Sequence, residues 1–116
     1  MSTTEPQLLE FNIDDILDDM VNAIKGVVKD NWEEVKSVTN EFLNRRKARL
    51  ELLAELTLTG DLPLEKLQSR LEDEKLILEA ELHAIAIVSK AIAQKAANAA
   101  LDALYKAIKG IIDVIL

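Results

Sequence analysis

One interior stretch of the chain can reverse a long helix sharply, and its position divides the sequence into two nearly equal arms. Thr59-Gly60-Asp61-Leu62-Pro63 combines a residue free to take positive φ, a capping acid and a proline. Gly60 suits the position just past a helix end, where a left-handed backbone closes the last turn. Asp61 or Leu62 then opens the next helix, with Pro63 in its first turn and Glu65 near the positive helix end. The expected organisation is a flexible lead over 1–11 and a single helical-hairpin domain over 12–116. Within that domain a helix over 12–59, a turn at 60–62 and a helix over 63–115 are expected.

The residues available to fill such arms are those of helices. Hydrophobic content is 49% but aromatics are only 3%, with three Gly and two Pro, so the apolar set is Leu, Ile, Val and Ala. This predicts an all-α fold. The absence of Cys excludes disulfides, thiolate catalysis and thiolate metal sites. A net charge of -7 argues against nucleic-acid binding, which needs a surplus of Lys and Arg. Met1-Ser2-Thr3-Thr4-Glu5-Pro6 has neither the basic nor the apolar region of a secretory signal, and Lys90, Lys95, Asp102, Lys106, Lys109 and Asp113 interrupt the most apolar third. A soluble, cytoplasmic protein is expected.

In the first arm Asn12 is a good N-cap, with Asp15 three residues on and Phe11 placed to staple onto Ile16. Ile13, Leu17, Met20, Ile24, Val28, Val35, Val38, Phe42, Leu50, Leu53 and Leu56 recur at helical spacing and predict one apolar stripe. The arm would be about 70 Å long. Gly26 to Asn31 is its weak point, where a kink or short break is expected because a mid-helix glycine costs about 1 kcal/mol and Asn31 can cap a fresh helix.

The second arm contains no Gly or Pro between Pro63 and Gly110, which predicts a matching rod. Its polar face is narrow, and Ile77, Glu81, Ile85, Val88, Ile92 and Ala99 belong to apolar surface that one partner helix cannot cover. The alanines beyond Ala91 permit close helix approach. Association of two hairpins into a four-helix bundle is the simplest solution, so a homo-oligomer, most simply a dimer, is expected.

Charge blocks predict the register. With the turn centred near Gly60, the basic cluster Arg45-Arg46-Lys47 with Arg49 falls beside Glu72-Asp73-Glu74. Asp30, Glu33 and Glu34 fall near Lys90, and the aspartates from Asp14 to Asp19 near Lys106 and Lys109. Ion pairs among Arg45, Arg49, Glu72 and Glu74 are expected to choose register more than to stabilise. They also account for the basic cluster without a nucleic-acid partner. Glu81 is expected to point into apolar surroundings, as a register-setting ion pair at an oligomer interface or a polar switch.

Glu79 and His83 stand one helical turn apart, and Glu41 comes near Glu79 in the same register. The Glu-x-x-x-His spacing differs from the Glu-x-x-His of di-metal bundles, so Glu41, Glu79 and His83 are weak metal candidates and no cofactor is expected. No phosphate-cradling loop, nucleophile elbow or dinucleotide fingerprint occurs. The expectation is a non-enzymatic structural or interaction protein that self-associates. A peripheral lipid- or hydrophobic-surface-binding protein is the alternative, and a ferritin-like metal-binding bundle the third reading.

Overall fold

The computed structural model describes residues 11–84 and 88–115, and all the regular structure in them is helical. Helix α1 spans Ile13–Val28, α2 Trp32–Leu58, α3 Leu64–His83 and α4 Lys90–Ile115, with a 3₁₀ turn over Lys29–Asn31 between α1 and α2. The all-α bundle class is as expected. Its helices are shorter than two uninterrupted rods would be, and the molecule measures 52 × 24 × 22 Å.

Helix α1 starts where the cap predicts: the Asn12 side-chain oxygen accepts from the backbone N–H groups of Asp14 and Asp15 at 2.9 and 3.4 Å. It ends at Lys29, whose N–H bonds the Lys25 carbonyl and whose backbone takes φ 51 and ψ -113. A non-glycine residue in that conformation turns the chain abruptly. The interruption expected within Gly26 to Asn31 is thus present at Lys29–Asn31, and it is a full fold-back, with α1 running antiparallel along α2 and Asp14 reaching Lys47 at 2.7 Å.

The Gly60 turn closes by the expected chemistry. Gly60 has φ 88, its N–H bonds the Thr57 carbonyl at 3.1 Å, and the Leu62 N–H bonds the Leu56 carbonyl at 2.9 Å. Pro63 stands just before α3 rather than inside it, and its carbonyl accepts from Lys66 and Leu67, both at 2.9 Å.

The second arm is two helices, a correction to the single rod over 63–115. Helix α3 ends at His83, and Ser89 caps α4: its Oγ accepts from the Ile92 N–H at 3.2 Å and its carbonyl from the Ala93 N–H at 2.9 Å. The chain has no Gly or Pro here. It has instead the β-branched Ile85, Ile87 and Val88, which favour helix weakly, followed by a capping serine.

Dividing both arms lets one chain surround its own core. Helix α2 packs on α3, α3 on α4, and α4 most extensively of all on α1. Met20, Ile24, Phe42, Leu50, Leu67, Leu78, Leu82, Leu104 and Ile108 are fully buried between them. Two rods would have left Val88, Ile92 and Ala99 for a second copy to cover. In the folded chain Val88 is buried by its own residues, and Ile92 and Ala99 are half-buried. No described helix is long and apolar enough to cross a membrane.

Candidate functional site

The polar centre of the molecule lies on the α2–α3 seam. Glu74 falls in the apolar row Leu67, Leu71, Leu78 and Leu82 of α3, so packing carries its side chain inward until only 1% remains exposed. Arg46 grips both of its oxygens, with Nε donating to Oε1 at 2.8 Å and Nη2 to Oε2 at 2.6 Å, and Arg49 Nε donates to Oε2 at 2.9 Å. Burial alone would push the Glu74 carboxyl up. The hydrogen bonds and charges of the two arginines more than offset that and hold it below the usual carboxylate range. The same contacts raise Arg46. The carboxylate therefore stays ionised inside the seam, bonded to two guanidinium groups whose outer edges reach solvent.

Arg45 turns away from this cluster to pair with Glu81, and its guanidinium lies 5.8 Å from the centroid of the Phe42 ring. Glu81 keeps 32% of its side chain exposed, so the carboxylate that is buried is Glu74, about two turns earlier on the same face of α3. Glu72 bonds Lys75 on its own helix at 2.7 Å and takes no arginine. Among the described residues Asp30, Glu33 and Glu34 form no ion pair, and Asp14 pairs with Lys47 rather than with Lys106 or Lys109 because α1 folds back beside α2. Lys109 bonds Asp113 at 3.0 Å.

Glu41 and His83 are exposed and Glu79 is half-buried, and no group of three metal-capable side chains converges among the described residues. Of the expected interface residues, Val88 is buried and Ile77, Glu81, Ile92 and Ala99 are half-buried. Ile85 lies outside the described residues.

Sequence reading missed an open groove of about 640 Å³ between α3 and α4, with Leu71 and Leu101 at its base. Gln68, Glu72 and Lys75 line it from α3, and Asn98, Asp102, Tyr105, Lys106 and Lys109 from α4. Its walls are long polar side chains of both helices, whereas the buried positions of α4 include the alanines Ala93, Ala96, Ala97 and Ala100. The signal was legible only once the second arm is read as a hairpin. A smaller groove of about 320 Å³ lies between α1 and α2, lined by Asp14, Asp18 and Val21 against Asn40, Leu43 and Asn44.

The chain matches no protein-family model, no curated protein and no solved structure. Chemically, the arginine–glutamate cluster is saturated within the chain, whereas the α3–α4 groove opens to solvent between polar and charged side chains that stand over the buried Leu71 and Leu101.

Proposed function

We propose that this protein is a small, acidic, non-enzymatic helical bundle that works as an interaction module, through self-association and contact with other proteins. The observation that carries the reading is the open α3–α4 groove, where Leu71 and Leu101 floor a channel rimmed by charges of both signs. The half-exposed Ile92 and Ala99 of α4 and the 54%-exposed Leu76 of α3 add apolar surface on the same pair of helices. Sedimentation equilibrium from micromolar to millimolar protein tests it: the mean mass is expected to rise toward twice the chain mass. A mass that stays monomeric throughout, with no exposed-surface dye binding, contradicts self-association.

A second reading draws on Val114, 80% exposed near the end of α4, which suits a hydrophobic surface. It expects co-flotation with neutral vesicles or oil droplets that is lost in Val114→Asp. Much of the apolar face that first suggested it, Leu78, Leu82, Ala93, Ala97, Leu104 and Ile108, is buried in the bundle.

A further inference from the structure

The outer face of α4 carries a charge pattern that is its own complement. Lys95, Asp102, Lys106 and Asp113 are all exposed. At about 100° per residue they fall within about 40° of one another, on the side opposite the buried row Ala93, Ala97 and Leu104. Their spacings are seven, four and seven residues, and their signs alternate. Turned end for end, the spacings are unchanged and every sign is reversed. Among the described residues Lys95, Asp102 and Lys106 take part in no ion pair, although Asp102 and Lys106 stand one turn apart on the same helix; Asp113 is held by Lys109 one turn before it, an exposed pair that leaves its carboxylate open to a further cation.

We infer that α4 docks antiparallel on α4 of a second copy, about a two-fold axis at the level of Leu104. This rests on the self-association reading and names its surface. A two-fold contact must be self-complementary, and this stripe satisfies that condition. Lys95 meets the partner's Asp113, Asp102 meets the partner's Lys106, and the symmetry repeats both pairs. The axis also brings the half-buried Tyr105 of each copy to the same edge of the pair, beside the α3–α4 groove, while Ala99 and Ala103 on the other edge let the helices approach closely. A parallel arrangement would place like charges opposite one another, which the pattern disfavours.

The test is a charge exchange followed by sedimentation equilibrium, with far-UV circular dichroism as the check on folding. Asp102→Lys sets cation against cation twice, and Lys106→Asp sets acid against acid twice. Each alone is expected to weaken self-association by about tenfold or more. An equimolar mixture of the two variants should restore it as a heterodimer, and Asp102→Lys/Lys106→Asp in one chain should restore the homodimer. If wild-type protein associates but the single variants associate equally well, or the mixture and the double variant both fail to recover, the α4 surface is wrong while self-association stands. If wild-type protein never associates, both fall. A single variant that loses helicity is replaced as evidence by the double variant, whose recovery or failure decides alone.

Discussion

Two seams of this bundle bring helices together by different means. Along α2–α3 a buried carboxylate is fixed by Arg46 and Arg49, and the helices are separated by leucines and long polar side chains. Along α1–α4 the buried positions of α4 include Ala93, Ala96, Ala97 and Ala100, and the packing is the most extensive in the molecule. The first seam specifies register by charge, because a carboxylate in an apolar row is costly anywhere except opposite those two arginines. The second specifies distance by side-chain size, and tolerates no bulk.

Removing the charge is the harshest way to break the contrast. Glu74→Gln leaves two guanidinium groups facing a neutral amide and is expected to cost about 2–3 kcal/mol in chemical denaturation. Glu74→Leu combined with Arg46→Met should recover most of that loss, since an apolar pair of similar volume avoids the desolvation penalty. Failure of the pair to recover would mean that the cluster contributes stability as well as register. On the other seam, Ala96→Leu is expected to cost about 1–3 kcal/mol through overpacking, with no rescue by charge.

Acid distinguishes the seams without mutation. The folded Glu74 carboxyl titrates below its unfolded counterpart. Its contribution is therefore complete above the unfolded range, about pH 4.3 for a glutamate, and is lost as pH falls through the folded value. Stability measured between about pH 6 and pH 3 should decline more steeply for the wild type than for the Glu74→Leu/Arg46→Met variant.

The smallest effects concern the turns that set the seams side by side. Gly60→Ala should destabilise by about 1–2 kcal/mol because φ 88 strains any side chain. Gly26→Ala, at an exposed position where an added Cβ meets nothing within 4 Å, should stabilise by up to about 1 kcal/mol. Equal responses at the two glycines would refute the distinction between a required and an incidental glycine.

That distinction also marks how far the sequence was legible. The Asn12 cap, the Gly60 reversal and the leucine rows follow from local rules and periodicity, and so does the helical class. An interruption within Gly26 to Asn31 was legible as well, but not that it would reverse the chain at Lys29. Gly26 drew attention as the weak residue, yet it lies inside α1, and a lysine takes the positive φ. The divided second arm escaped for a related reason: the serine that caps α4 carries none of the punctuation of Gly or Pro. Once the second arm is counted as one rod, the α3–α4 groove cannot be foreseen, and apolar surface that the chain covers itself is assigned to a second copy. Burial of Glu74 in place of Glu81 was not legible because the two carboxylates lie seven residues apart on the same face of α3, so periodicity treats them alike; Glu74 is enclosed with Arg46 and Arg49, while Glu81 pairs with Arg45 and stays one-third exposed.

The order of the helices bears on how the chain assembles. Each of the α1–α2, α2–α3 and α3–α4 neighbours is close in sequence, so each can form quickly as a local hairpin. The α1–α4 seam alone joins opposite ends of the described chain. Its formation requires the intervening helices to be gathered already, which makes it the late, ring-closing step of folding. Substitutions at its alanines should therefore act mainly on the rate of unfolding and leave the rate of folding little changed.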